Sequence, residues 1–424
     1  MTEEFLHYIW KFRLFDQLDL KSTSGETIEV IKVGDHNFDA GPDFFNARIK
    51  VGNTLWAGNV EVHIHSSDWK KHLHQKDKAY DNIILHAVYN ADEELHRNSG
   101  ETIPTIEFNN RIDEKIYYNY LNFKKSTDWI PCEKQISNVP GFIVNSMIER
   151  LLPERLERKS RSIKESLKLN NRNWEEIFYH YLARNFGFKT NAGPFELLAK
   201  SLSSLILAKH KSSLLQVEAL LFGQAGMLDE HMNDKYVQQL QNEYAFLKQK
   251  FKIHPIDAHL WKFLRLRPVN FPTIRIAQFA SLIFNSTHLF SKIIETEDCN
   301  DLKKLMNVGV SEYWQTHYVF EKVSKAKTKQ LGEEAVNNII INTVIPFLFV
   351  YGKQKGDEKY VERALDFLEK INGESNSIIS KWKALKLPAE TAYLTQGLIQ
   401  LKNEYCDHKK CLKCSIGNYL LKNS

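Results

Sequence analysis

Residues 34–65, GDHNFDAGPDFFNARIKVGNTLWAGNVEVHIH, decide how this chain is read. The stretch opens as a Gly-rich acidic loop, passes through a hairpin and ends on a strand carrying acid-x-His-x-His. Asp43 directly follows Pro42, and Glu61, Val62 and His63 come eighteen residues later. Two carboxylates delivered by neighbouring strands are what a divalent cation requires from a protein that cleaves phosphodiesters. Gly52-Asn53 is the turn signal between strands expected over 45–51 and 54–64. On the first strand Phe45, Ala47, Ile49 and Val51 alternate with Asn46, Arg48 and Lys50. On the second, Val60, Val62 and Ile64 alternate with Glu61, His63 and His65. If the polar faces coincide, Arg48, Lys50, Glu61, His63 and His65 line one surface, and Asp43 reaches it from the mouth of the hairpin.

Outward from the hairpin, Phe5, Tyr8, Ile9, Phe12 and Phe15 predict a helix over 2–16, and residues 27–33 read as a strand. Ser66 or Ser67 is placed to cap a helix within 66–80, and strands are expected over 83–89 and 102–108. The order is helix, three strands, helix, strand. From about residue 139 the signals are almost all helical, with short Gly, Pro and Asn turns between them. The expectation is an α/β N-terminal domain over 1–130, a mixed sheet flanked by helices, followed by a large all-α domain over 131–424.

Composition narrows the class. The chain of 424 residues is 43% hydrophobic, enough to pack more than one core, and its net charge of +5 permits a nucleic-acid partner without demanding one. The start, MTEEFLHYIW, has no basic segment before an apolar run, and the longest apolar stretch, 339–351, is broken by Asn342, Thr343 and Pro346. These features point to a soluble cytoplasmic protein with no membrane role. Five cysteines are too few for a disulfide scaffold.

A Mg or Mn ion held by Asp43 and Glu61 would polarise a phosphate and acidify a bound water, with Lys50 or a neutral His63 to orient or deprotonate that water. Eight of the sixteen histidines fall in the first 96 residues, and His63-x-His65 puts two imidazoles on one strand face. A transition-metal hydrolase using Asp43, Glu61, His63 and His65 is therefore a further reading. His72 and His74, at i,i+2 on an expected helix, would not share a face. His86, between Leu85 and Ala87, reads as a core histidine.

Residues 1–110 resemble the PD-(D/E)xK nuclease superfamily, the restriction-endonuclease-like fold: Pro42-Asp43 matches the Pro-Asp element, and Glu61-Val62-His63 stands where Glu-x-Lys is expected. The resemblance implies Asp43 and Glu61 as metal ligands. His63 occupies the lysine position, and Lys50 and Lys70 are the candidates for a migrated lysine. Over its whole length the chain is similar to a bacterial family known as domain of unknown function 2851, through GDHNFDAGPDFFNARI, GNVEVHIHSSDW, RNFGFKTNAGPFELLAKSL, VEALLFGQAGML and WKFLRLRPVNFPTIRIAQFA.

Two more features carry chemistry. Cys406-x4-Cys411-x2-Cys414 offers three soft ligands within nine residues, with His408 or the distant Cys132 to complete a structural zinc or iron–sulfur site. A remote cysteine joining three clustered ones resembles the iron–sulfur staple of AddB-type nucleases. In the helical part, Arg155, Arg158, Lys159, Arg161, Lys164 and Lys168 form a basic run, and Arg265, Arg267 and Arg275 are interleaved with Trp261, Phe263 and Phe271. Such groups suit phosphate contact and base stacking. The leading expectation is a metal-dependent nuclease acting on DNA or RNA. The alternatives are an inactive nuclease-like nucleic-acid-binding or scaffold protein, and a His-dependent metallohydrolase acting on a small phosphorylated substrate.

Overall fold

A computed structural model describes residues 1–424 except 98, 287 and 424. The chain divides into two units, Met1–Met147 with Lys402–Ser424, and Ile148–Leu401. The sequence suggests one division, at 130/131. The contacts instead group residues 131–147 and the last 23 residues with the sheet, because the C-terminal segment folds back onto residues 124–132.

The first unit opens with α1 (Glu3–Lys11), capped by the Thr2 hydroxyl, which accepts from the Phe5 amide. Phe5, Leu6, Ile9 and Trp10 are fully buried, each contributing about 1.5–3 kcal/mol. The helix is shorter than its periodicity suggests. Arg13 turns left-handed at φ 53°, and its guanidinium donates to the Ile31 carbonyl at 2.6 Å. Trp10 likewise donates to the Val33 carbonyl at 3.0 Å.

The sheet contains β1 (Ile28–Lys32), β2 (Asp35–His36), β3 (Phe44–Val51), β4 (Thr54–His65), β5 (Ile83–Asn90) and β6 (Thr105–Glu107). Its order is β1-β3-β4-β5-β6, with β2 also paired to β3. The β1, β3 and β4 pairings are antiparallel, and β4, β5 and β6 run parallel. The crossover from β4 to β5 holds only the one-turn helix α2 (Asp68–Lys71) and two 3-10 turns. Ser66 and Ser67 do not cap α2 through their side chains; their hydroxyls donate to Asp92 at 2.9 and 2.8 Å, tying the crossover to the end of β5.

Two departures from simple alternation matter. A bulge between Phe44 and Ala47, with Asn46 at φ 56°, puts Phe44 rather than Phe45 in the core and re-aims the chain beside Asp43. The C-terminal half of β4 is also buried on both faces, so Glu61 and His63 do not lie on a solvated face. At Gly58 the neighbouring strand comes so close that a Cβ would stand 2.4 Å from Ile84 Cγ2 and 2.7 Å from the Asn82 carbonyl oxygen. Gly58→Ala is expected to destabilise the protein by about 1–3 kcal/mol, measured as a lower urea midpoint at unchanged slope.

Beyond α3 (Glu114–Lys125), the long helix α4 (Gly141–Leu169) carries the chain into the second unit, which is mostly helical. Its helices include α5 (Trp174–Phe186), α6 (Phe188–Ser201), and the later Glu358–Lys370 and Ala392–Gln400. Among the described residues one stretch, Glu333–Lys355, is long and apolar enough to cross a membrane, but 78% of its most apolar 18-residue window is buried within the unit, as in a core helix.

Candidate metal centre

The loop before β3 is organised by one residue. Asn37 donates from its side-chain amide to the carbonyls of Asp39, Ala40 and Pro42 at 3.0, 3.2 and 3.0 Å, while Gly41 supplies a φ of 103°. The Asn37 backbone amide also donates to the Asp43 carbonyl at 2.7 Å. These bonds hold Asp43 against the end of β4. There the two acids are locked reciprocally: the Asp43 amide donates to Glu61 Oε2 at 3.1 Å, and the Val62 amide donates to Asp43 Oδ2 at 3.0 Å. Each carboxylate is thus fixed by backbone at the other's position in the chain.

Imidazoles surround the pair. His7 Nε2 lies 3.1 Å from Asp43 Oδ2, and the Nε2 atoms of His63 and His74 lie 3.6 and 3.4 Å from Glu61 Oε1. His72 Nδ1 is 3.1 Å from His63 Nε2. His63, His72 and His74 each offer a ring nitrogen within 4.8 Å of the others. The rings are also supported from behind. His86, fully buried, bonds His63 Nδ1 at 2.9 Å, and Tyr80 stacks on His74 at 3.8 Å. In metal sites the imidazole nitrogen remote from the ion is engaged by a second group, as His86 engages His63 Nδ1.

Burial decides the protonation states. It pushes the Glu61 carboxyl up to about 9, with the Asp43 charge adding to the effect, which favours the protonated form of Glu61 at pH 7. Burial also pushes His63 down to about 2, His86 to about 3 and His74 to about 4, and the crowding of rings reinforces each shift. Glu3, at the start of α1, is raised by burial too and interacts with His72 and His7. Neutral imidazoles crowded around two carboxylates are a donor set poised for a cation. The buried Nε2 atoms of His7 and His74 make no hydrogen bond, although each points at a carboxylate oxygen. The orphaned His74 atom, beside Glu61 and the three-imidazole group, fits a metal centre at this end of β4. The cluster opens to solvent at His72, which is exposed, and at the half-buried Asp43 and His7.

The sequence-predicted residues divide accordingly. Asp43, Glu61 and His63 meet. Lys50 does not reach them: it pairs with Leu55 and Glu29, seven residues along an extended strand from Asp43, or roughly 20 Å. Lys70 turns to Glu93. His65 lies two residues beyond His63, its ring held by Asn90 at 3.4 Å and its amide by Asp68 at 2.9 Å, outside the three-imidazole group.

Sequence reasoning missed Glu3, His7, His72 and His74. The helical spacing expected to separate His72 from His74 does not apply, because α2 ends at Lys71 and Leu73 is left-handed at φ 62°, which folds both rings back to His63. Glu3 and His7 stand at i,i+4 on α1, one stripe of the helix beside its apolar face, and that spacing was the available signal.

The basic runs of the helical unit are partly turned inward. Arg155 and Arg158 donate to Gln396 and Gln400 at 2.6 and 3.1 Å, and Lys159 donates to Asn342 at 2.9 Å. Arg275 is buried, bonds Gln278 and Asn270, and stacks on Phe188 at 4.6 Å, beside a cavity of about 890 Å³ that Arg267 also lines. Half of the basic run on α4 thus satisfies side-chain amides, while Arg161 and Lys168 stay exposed and Lys164 pairs with Glu157.

Residues 3–377 match the family described as protein of unknown function (DUF2851). No curated protein and no solved structure matches the chain.

Proposed function

We propose that this chain, which belongs to the DUF2851 family, is a metal-dependent hydrolase of phosphodiester bonds in DNA or RNA, acting in the reducing cytoplasm through its sheet-containing unit. The observation that carries the reading is the meeting of Asp43 and Glu61, cross-bonded through the backbone, with unprotonated imidazoles at one end of β4. The helix, antiparallel strands, crossover and parallel strand around them support a restriction-endonuclease-like core in which imidazoles stand where a lysine is usual.

Asp43, Glu61, His63 and His74 would hold the ion, with His7 and His72 at its open side. A bound divalent cation supplies Lewis acidity toward a phosphoryl oxygen and a lowered pKa for its water. The nitrogen donors favour Mn or Zn over Mg. His72, at the solvent-exposed edge of the three-imidazole group, is the group positioned to take a proton from an attacking water. His86 keeps His63 in one orientation, and Tyr80 does the same for His74.

The test is cleavage of labelled single- and double-stranded DNA and RNA with Mn, Zn or Mg. Asp43→Ala is expected to lower the rate at least ~100-fold, as loss of a group that binds the ion should, whereas Lys50→Ala changes it less than ~3-fold. A second substrate class has its own support in the depth of the site: Glu61 and His63 are 4% and 2% exposed. Turnover of small phosphate diesters with no cleavage of nucleic acid would favour a metallohydrolase acting on a small phosphorylated compound. Nucleic-acid binding without turnover in any ion would make the protein a scaffold.

A further inference from the structure

Four of the five cysteines converge at a place well separated in sequence from the histidine cluster. Cys132 follows α3, in a turn where its carbonyl accepts from the amides of Gln135 and Ile136 at 3.0 and 2.9 Å. Cys406 ends the π-helical turn Leu401–Cys406. The chain then reverses through Lys409 at φ 51°, and Cys411 opens the 3-10 turn Cys411–Lys413, where the Cys411 carbonyl accepts from the Cys414 amide at 3.2 Å. Cys132, Cys406 and Cys411 each feel the charge of Cys414, and Cys132 and Cys406 also feel that of Cys411, so the four thiols share one neighbourhood. None of them forms a disulfide.

The scaffold holds the two segments together. Lys409 donates to the Lys124 carbonyl at 2.6 Å, and the Lys402 ammonium sits 5.4 Å from the centre of the Trp129 ring. Gly417, in the C-terminal helix Ser415–Asn423, presses on the turn so closely that a Cβ would stand 2.3 Å from the Cys411 carbonyl oxygen. His408, the local alternative for a fourth ligand, is exposed, whereas Cys411 and Cys414 are buried.

We propose that Cys132, Cys406, Cys411 and Cys414 form a tetrathiolate centre for a soft metal, either a zinc ion or an iron–sulfur cluster, which closes the C-terminal segment onto the sheet-containing unit. Loading exchanges the thiol protons, released to solvent, for metal–sulfur bonds. With four protein sulfurs and no open position, its role is structural.

The full-length protein, purified anaerobically without chelator, is assayed for zinc, iron, acid-labile sulfide and visible absorption. A zinc centre gives about one colourless equivalent per chain; a cluster gives iron with matching sulfide and a visible charge-transfer band. Cys132→Ser and Cys414→Ser lose the metal, while Cys299→Ser and His408→Ala keep it. Because a cysteine variant can fail by misfolding, the wild type is also titrated with a thiol reagent under native conditions, before and after the metal is stripped. Protection of four thiols until stripping is expected. Native protein that carries neither zinc nor iron, and whose four thiols all react at once, overturns the proposal. So does metal retained at full stoichiometry in folded Cys132→Ser.

Discussion

Glu61→Gln is expected to abolish metal-dependent cleavage while leaving the fold at least as stable as the wild type. The two effects separate because Glu61 is protonated in the cation-free protein: burial raises its carboxyl to about 9, and a glutamine amide has nearly the shape and charge of that neutral acid. The amide side chain of the variant keeps an acceptor for the Asp43 amide, which Glu61 engages at 3.1 Å. It also removes the need to bury a charge when the pH rises. The thermal midpoint should therefore shift by less than ~4 °C, or rise, since about 1 kcal/mol moves it by roughly that much in a unit of this size. Binding a cation needs the charged acid, and an amide supplies none, so turnover should fall at least ~100-fold. Full activity in Glu61→Gln would remove Glu61 from the metal centre. A large drop in the midpoint would mean that its proton is not the resident state.

The second large effect is in the pH dependence of metal affinity. A cation that binds Glu61 must displace its proton, so affinity for Mn or Zn should climb about tenfold for each pH unit from 6 to 8 and level off near 9. His63 and His74 add no slope in that window, since burial keeps them neutral above about 2 and about 4. Titration calorimetry in buffers of different ionisation heat checks both points, because it counts the protons released. A flat affinity between pH 6 and 8 would place an ionised Glu61 in the cation-free protein. The same shifts set the stability of that protein. Glu61, whose pKa is raised, contributes stability that is present below pH 4.5 and lost as the pH rises through about 9. His63, His74 and His86, whose pKa values are depressed, contribute stability that is present above 6.5 and lost as the pH falls through about 4 to 2. Added metal should therefore protect most strongly at the alkaline end.

Much of the architecture follows from local pattern. Phe5, Tyr8 and Ile9 read as a helix, Gly52-Asn53 reads as a turn, and the residue types of 54–64 and 83–89 read as strands, because each depends on neighbours within a few positions. Asp43 and Glu61 stood out for the same reason: each sits at a strand end that the sequence marks. The cysteine triplet at 406, 411 and 414 was visible as spacing alone.

Other decisions belonged to tertiary structure. Lys50 was excluded from the site by distance along a strand, which alternation does not reveal. His72 and His74 entered it because one left-handed residue, Leu73, ended a helix that composition would have continued. Basic residues of α4 turned to buried glutamines that lie more than two hundred positions away. Cys132, and not His408, came to the cysteine cluster because residues 124–132 and 402–411 bond to each other. By itself the sequence determined which elements form and which residues carry chemistry, since propensity, periodicity and turn chemistry act over a few bonds. Only the folded chain decided which of those residues meet, and in which protonation state, since proximity and desolvation arise from packing between segments remote in sequence.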